Sequence, residues 1–294
     1  MNYRNKIAKH ASCIMALCLV IAGCQKLDRP ALGDYPKDTN PPNGPLRFFT
    51  AFDGTTDDPL MNAVDSIRAT FPASNPLESI DGIEGKAIQG ADQQAILYPS
   101  ANDFAKSTSF TIAFWEKNGV PTGGSPQFLF SLASKDYWHQ SALFCLIDHS
   151  DAGSTPDSAV VKLAVEDHWF EFTSDYANGH QRMGGHLLDG NWHHLAFVYD
   201  ETTSQVSYYV DGQKLTGLSP VLTDMMNGTA PFGPLNFANT YGFVVAGWNK
   251  HGNLGNGAPT DAWIQSWLGG LDQFRLYNKA LSDSEVQALY NSKQ

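Results

Sequence analysis

Aromatic side chains stand beside amide or imidazole groups in several segments that fall in or next to predicted loops, where binding residues concentrate. Flat rings can stack on the apolar face of a sugar, and amide or imidazole groups can hydrogen-bond its hydroxyls. The candidate ligand-binding residues of this kind are Trp138, His139, Trp169, Tyr176, Trp248, Asn249 and Trp263. Tryptophan is usually largely buried, so packing on a core is the alternative for any single ring.

Cleavage of a glycosidic bond needs a different pattern, namely two carboxylates about 5 to 9.5 Å apart across a cleft. On a single strand this requires acidic residues spaced by two. Glu166, Asp167 and Glu171 come nearest, but their spacing puts them on no common strand face, and Glu116 stands alone beside Lys117. No catalytic residue is predicted. Hydrolysis by carboxylates that converge from distant loops is kept as an alternative.

Other chemistries find little support in the sequence. His180, His186, His193 and His194 have no cysteine partner and no His-x-x-Glu-His spacing, so a zinc site is not expected. His193 and His194 lie in a run that is apolar at both parities, which predicts packing roles. Cys145 lies in the apolar run 142–147, and we expect a buried small side chain rather than a nucleophile.

Composition describes a soluble, loop-rich globular protein. The 294 residues are 42% hydrophobic and 17% charged, with 26 glycines and 16 prolines, which excludes disorder and coiled coil. The formal net charge is -11, so phosphate backbones and anionic lipid headgroups would repel the protein. Nucleic acid is therefore not an expected partner.

The N-terminus has the features of a secretory signal. Arg4, Lys6 and Lys9 precede an apolar run over residues 11–22, which is too short to span a bilayer. The run ends at Gly23-Cys24, which resembles the bacterial lipoprotein signal, in which the cysteine is lipidated and becomes the first mature residue. The alternative is a cleaved secretory signal followed by an incidental cysteine.

A proline-rich stretch follows the predicted lipidation site. We predict a signal peptide over residues 1–23, a lipidated Cys24 with a tether over residues 24–46, and one folded domain over residues 47–294. Gln25, rather than Asp, follows the cysteine, and resemblance to the bacterial sorting pattern then favours the outer membrane. The membrane would be contacted through the lipid anchor alone.

Short apolar runs with a two-residue period predict an all-β, two-sheet antiparallel sandwich with one short C-terminal helix. Asp211-Gly212 predicts a type I′ hairpin turn, and Ser282 with Glu285 predicts a capping box that begins the helix. The eleven candidate strands cover residues 46–52, 95–98, 109–116, 127–133, 142–147, 159–165, 168–172, 192–200, 205–210, 241–248 and 268–277.

Three segments together resemble the LamG-like jellyroll of the concanavalin A-like lectin/glucanase superfamily, namely residues 109–115, 190–212 and 270–282. The resemblance implies a jellyroll over nearly all of residues 47–294. It also implies a setting similar to that of surface glycan-handling lipoproteins of Bacteroidetes, with outer-membrane protein partners as an open expectation. A shared fold does not settle activity.

The resemblance also implies a structural calcium ion between the first and last strands, with Asp53 and Asp272 at the matching positions. We therefore expect a carbohydrate-binding lipoprotein of the cell envelope that binds glycan through loop aromatics without catalysis. The alternatives are a glycoside hydrolase and a protein-binding accessory lipoprotein.

Overall fold

The computed structural model describes residues 44–53, 77–120, 125–148, 154–251 and 260–293. The predicted signal peptide, Cys24 and all but the end of the predicted tether lie outside these residues. Within the described ranges, no helix has both the length and the apolar character needed to cross a bilayer.

The described residues form nineteen strands. In chain order these are β1 (Leu46–Thr50), β2 (Glu78–Asp81), β3 (Lys86–Gln89), β4 (Ile96–Tyr98), β5 (Phe110–Gly119), β6 (Gln127–Ser134), β7 (Ser141–Ile147), β8 (Ser158–Ala159), β9 (Val161–Val165), β10 (His168–Glu171), β11 (Met183–Gly184), β12 (Asp189–Asp200), β13 (Gln205–Val210), β14 (Gln213–Lys214), β15 (Met226–Asn227), β16 (Ala230–Pro231), β17 (Thr240–Val245), β18 (Gln265–Ser266) and β19 (Gly270–Tyr277).

Helical structure is limited to short pieces. Two α-helices are present in the described residues, α1 (Pro220–Thr223) and α2 (Asp283–Ser292). Single 3₁₀ turns occur at Asn102–Lys106, Trp138–Gln140 and Tyr176–Asn178. The helix α2 begins as predicted, because the Ser282 side chain accepts from the Glu285 N–H while the Glu285 side chain bonds back to the cap.

Two large sheets pack face to face. The first sheet has the strand order β14-β13-β12-β5-β19-β3-β2, with β1 also paired to β19. The second sheet has the order β10-β9-β7-β6-β17-β4, with β18 paired to β6. All eleven candidate strands are confirmed, and the predicted sandwich is confirmed with them. The strands β2 and β3 were not among the candidates, because each has only four residues and a polar residue at both ends.

Alternation along each strand fills the space between the sheets. In β5 the side chains of Phe110, Ile112 and Phe114 join the main core, while Trp115, at the opposite parity, faces outward. The helix α2 covers that outer face, and the Tyr290 ring stacks on Trp115 at 5.4 Å between centroids. Trp115 is therefore sealed off from solvent.

Two local predictions are also confirmed. Asp211 and Gly212 both have positive φ, at 50° and 73°, as a type I′ turn requires. Cys145 is fully buried in the main core, and its burial raises the pKa of the thiol far above its usual range. The packing role expected for His193 needs correction, because its ring nitrogens contact carboxylates of Asp211 and Asp189.

Candidate functional site

The outer face of the second sheet is unusually apolar for a solvent-facing surface. In β7 the side chains of Leu143, Cys145 and Ile147 face the core, so Phe144 and Leu146 point outward. Cross-strand register extends these into two rows. One row joins Phe144, Ala164 and Trp169, and the other joins Leu146, Lys162 and Glu171.

Four tryptophans collect over this face, and we call them the indole patch: Trp138, Trp169, Trp248 and Trp263. Trp248 is its buried centre. Its ring stacks on Phe128 at 4.2 Å between centroids and 6° between planes, and its Nε1 donates to Ser141 Oγ at 2.6 Å. A fully buried indole with its one donor satisfied provides a rigid base for the other rings.

The remaining indoles of the patch reach solvent. Trp138 and Trp263 are 40% and 42% exposed, and their centroids lie 5.4 and 6.4 Å from that of Trp248. Trp169 is half-buried and meets Trp138 nearly edge-on at 5.2 Å. Two exposed indoles supported by a buried third form a surface of ring faces that is open to a ligand.

A buried amide holds the loops that carry these rings. Asn249 is fully buried, and its Oδ1 accepts from Ser131 Oγ at 2.6 Å. Its Nδ2 donates to the carbonyls of His139 and Gln140 at 3.2 and 2.7 Å and to Ser141 Oγ at 2.8 Å. The amide therefore fixes the 3₁₀ turn that presents Trp138, where His139 has a φ of 45°.

A second tie holds the loop of Trp263. Lys250 Nζ donates to the carbonyl oxygens of Asp261 and Ile264 at 2.8 and 3.2 Å. Residues 248–251 are thus fastened both to the 3₁₀ turn at Trp138–Gln140 and to the segment around Trp263. The exposed indoles share one support.

Three charged side chains, which we call the charged trio, lie beside Trp169 on the same sheet face. Lys162 Nζ lies 2.8 Å from Asp148 Oδ2 and 3.6 Å from Glu171 Oε2. Lys162 pairs with Glu171 in the row next to the one that holds Trp169. Groups fixed by one another can hydrogen-bond ligand hydroxyls without being reordered first.

Six of the seven residues predicted from the sequence to bind ligand come together at the patch: Trp138, His139, Trp169, Trp248, Asn249 and Trp263. Two of these, Trp248 and Asn249, are buried within it. Tyr176 does not join them. It is 65% exposed on its own 3₁₀ turn, and it makes no ring contact with the patch within the described ranges. The sequence reading missed Lys162 and Phe144, for which outward parity in β9 and β7 was the available signal.

The acidic residues considered for catalysis are dispersed. Glu166 and Asp167 form the turn between β9 and β10 with φ values of 45° and 67°, and Glu166 Oε1 accepts from the Asn236 N–H. Glu116 is buried on the inner side of β5. Glu171 lies on the outer face beside the patch as a member of the charged trio, and Asp167 Oδ1 accepts from the Trp138 N–H at 2.9 Å.

Asp53 and Asp272 reach the same turn, at residues 82–86. Asp272 is fully buried and its Oδ2 accepts from the Ile83 N–H at 2.8 Å, while Asp53 Oδ1 accepts from the Lys86 N–H at 3.2 Å. Burial raises the pKa of Asp272 to about 7, and the charge of Asp53 acts in the same direction. Asp272 Oδ1 has no hydrogen-bond partner within the part of the chain that the structure describes.

These donors fit a hard cation, because carboxylate oxygens are what calcium prefers and one buried oxygen has no other partner. The turn must be glycine-rich to bring them together. A Cβ at Gly85, where φ is +64°, would lie 2.1 Å from Asp53 Oδ1. No group of three or more His, Cys, Asp or Glu side chains suited to a metal occurs among the described residues, so backbone oxygens would have to complete the shell.

Comparison with known proteins gives one family match. Residues 89–287, more than half of the chain, match a laminin G family model described as the concanavalin A-like lectin/glucanases superfamily. A search of curated proteins finds no match.

Solved structures share the fold at low sequence identity. Domain 4 of AbnA, a GH43 extracellular arabinanase from Geobacillus stearothermophilus solved with arabinotriose, aligns with a TM-score of 0.50 and 17% identity over 83% of this chain and 98% of that domain. The binding domain of botulinum neurotoxin DC in complex with SialylT gives 0.52 and 11% over 86% and 53% of the two chains. Trypanosoma rangeli sialidase in its difluorosialic acid complex gives 0.50 and 17% over 85% and 33%. This chain therefore spans nearly all of the first structure but about half and a third of the others.

Proposed function

Because the chain belongs to the concanavalin A-like lectin/glucanases superfamily, we propose that it binds carbohydrate at the indole patch and does not cleave it. The observation that carries this proposal is the pair of exposed indoles, Trp138 and Trp263, on the buried Trp248. The arabinotriose in the complex of the arabinanase domain supports the same class of ligand for this fold.

The roles of the patch residues follow from their exposure. Trp138, Trp263 and the exposed part of Trp169 stack on sugar rings, where the apolar C–H face meets the π face. The charged trio hydrogen-bonds hydroxyls at the edge of the bound sugar. Trp248 and Asn249, which are buried, act by holding the exposed rings in place rather than by touching ligand.

Glycan-array screening of the soluble domain, followed by calorimetric titration of the hits, tests this function. Trp138→Ala and Trp263→Ala should each weaken binding at least tenfold while the melting temperature changes little, because both side chains are partly exposed. Tyr176→Ala is the matched control, since it removes a more exposed ring away from the patch. Failure of the wild type to bind any glycan, or an equal loss in Tyr176→Ala, would refute the proposal.

Glycoside hydrolysis is the second candidate, and the charged trio is the observation that favours it. The Asp148 and Glu171 oxygens lie at most 6.4 Å apart, the sum of their distances from Lys162 Nζ, which admits the roughly 5 to 5.5 Å of a retaining pair. A general acid must carry a proton, however, and an ammonium in contact opposes that. If the wild type releases reducing ends from a bound polysaccharide and Glu171→Gln does not, the function is hydrolysis rather than binding alone.

We extend the proposal to the cellular setting. The protein would be an outer-membrane lipoprotein, with residues 1–23 removed, Cys24 lipidated and residues 24–46 as a tether, in a setting similar to that of Bacteroidetes glycan-handling lipoproteins with outer-membrane protein partners. Labelled palmitate should be incorporated by the wild type and not by Cys24→Ser, which should move to the soluble fraction. Unchanged membrane association of Cys24→Ser would contradict the anchor.

We also propose that Asp53 and Asp272 hold a structural calcium ion together with backbone oxygens of the turn at residues 82–86. The support is the shared turn and the partnerless Asp272 Oδ1. Calcium at one hundred times its Kd would stabilise the fold by about 2.7 kcal/mol and raise Tm by roughly 5 to 11 °C. Calcium should raise the melting temperature of the wild type, EDTA should remove that rise, and Asp272→Asn should abolish it, whereas the control Asp157→Asn should keep it. A melting temperature that EDTA leaves unchanged, or a calcium-dependent rise that persists in Asp272→Asn, would count against the site.

A further inference from the structure

A polar cleft lies at the first sheet, on the opposite side of the sandwich from the indole patch. Its volume is about 400 Å³, within the range of small-molecule sites. The ends of five adjacent strands, β2, β3, β19, β5 and β12, contribute to it or border it. Its lining residues are Ile80, Asp81, Gln89, Lys117, Asn118, Gly119, Gly190, Leu268 and Gly269.

Lys117 is the uncompensated charge of this cleft. It is exposed, its Nζ lies 6.0 Å from the centre of the Trp192 ring, and it forms no ion pair with any residue that the structure describes. The carboxylate of Asp81, by contrast, is paired with Lys86 at 2.6 Å. Lys117 is therefore the one charged side chain of the lining that has no ion-pair partner among the described residues, in a protein whose formal net charge is -11.

The formal net charge of the whole protein has little effect on a ligand beside Lys117. At physiological salt, charges more than about 8 Å apart are largely screened, so a ligand in the cleft responds mainly to the groups that line it. Gln89 and Asn118 add side-chain amides that can hydrogen-bond hydroxyls, and Ile80 with Leu268 adds apolar contact. Leu268 is one of the exposed large apolar residues of the protein.

We propose that this cleft is a second saccharide site, specific for a sugar that carries a carboxylate, with Lys117 as the partner of that carboxylate. The ammonium selects the acid group, the two amides hydrogen-bond ring hydroxyls, and Leu268 covers an apolar face of the ring. This site goes beyond the proposed function, because it lies on the other sheet and uses none of the patch residues.

Matched probes test the proposal. Trisaccharides of galacturonic, glucuronic and mannuronic acid are titrated calorimetrically against the folded protein, each beside its methyl ester, which has the same ring but no charge. At least one free acid should bind at least tenfold more tightly than its ester, because a charge-assisted hydrogen bond is lost in the ester. The acid's affinity should fall as salt is raised.

Variants locate the binding. Lys117→Gln should weaken binding of the acid about tenfold and leave the ester unchanged. Lys135→Gln is the control, because Lys135 is also exposed with its Nζ 6.0 Å from an aromatic ring, that of Tyr241, but lies outside the cleft. Binding of no acid, equal binding of acid and ester, or an equal effect of the two lysine variants overturns the proposal.

The two sites fail independently in this design. Trp138→Ala should abolish binding of the array hits without changing the affinity for the acid trisaccharide, and Lys117→Gln should do the reverse. Loss of acid binding in Trp138→Ala would mean that the acid occupies the patch, which overturns the second site. If the array gives no hits but the acid trisaccharide still binds in a way that depends on Lys117, the proposed patch is refuted and the cleft is supported.

Discussion

Replacing Glu116 by glutamine should stabilise the protein increasingly as pH rises. Glu116 follows the inward parity of Phe110, Ile112 and Phe114, is fully buried, and has no hydrogen-bond partner for either carboxylate oxygen within the described ranges. Burial raises the pKa of Glu116 well above 4.5, and the charges of Asp189 and Asp211 act in the same direction. At a pH between the unfolded and the folded pKa, the folded state keeps this carboxyl protonated, whereas the unfolded chain ionises it.

The sign and size follow from proton linkage. The pKa of Glu116 is higher in the folded state than in the unfolded state. Its contribution to stability is therefore fully present below pH 4.5 and is lost as pH rises toward the folded pKa. While the folded carboxyl stays protonated, the loss is about 1.4 kcal/mol per pH unit, or about 2.7 kcal/mol between pH 5 and 7. For a domain of this size that corresponds to roughly 5 to 11 °C in Tm.

Urea and calorimetric unfolding at pH 5, 6, 7 and 8 measures this difference. Glu116→Gln should match the wild type near pH 5, since protonated glutamic acid and glutamine are both neutral and polar, and should exceed it progressively above. Glu78→Gln is the control, because Glu78 is exposed on the edge strand β2. Other titrating groups are common to both proteins and cancel in the comparison. A gap between variant and wild type that does not widen with pH would refute the burial argument.

Three further outcomes are expected. Asn249→Ala should cost about 1–3 kcal/mol in urea unfolding, because Ser131 and Ser141 lose a buried partner, and should also weaken glycan binding; full stability would contradict the network. His193 should show a pKa above 6.5 by NMR, chiefly because it hydrogen-bonds Asp211. Its contribution to stability should therefore be lost as pH rises through that pKa. A His193 pKa that stays the same in Asp211→Asn would contradict this cause. Gly85→Ala should lower Tm more than Gly217→Ala. Both glycines have positive φ, but only at Gly85 would the added Cβ clash with a side chain, that of Asp53. Equal losses of Tm would contradict the clash and leave backbone strain as the sole cause.

Local patterns were enough to predict the strands and their faces. Side chains alternate across a strand whatever surrounds it, so alternation in β5 places Phe114 inward and Trp115 outward. The turn at Asp211-Gly212 and the cap at Ser282 depend on only a few neighbouring residues, and both form as predicted. Such features are decided within the segment itself.

Exposure of the aromatic side chains could not be predicted in the same way. Trp248 and Trp263 were both predicted from the sequence to bind ligand, yet one is sealed and the other is 42% exposed. The difference comes from Phe128 and Ser141, which are more than one hundred residues before Trp248 in the chain and close over it only in the folded sheet.

The sequence by itself determined a two-sheet β-sandwich, its strand faces and a supply of aromatic and polar side chains in or near the loops. Only the tertiary structure decided that Trp138 and Trp263 present their rings, that Asn249 supports them from below, and that Lys162 stands between Asp148 and Glu171 beside them. The physical reason is that periodicity is a property of neighbouring residues, whereas burial and ion pairing depend on which distant strands become neighbours in the sheet.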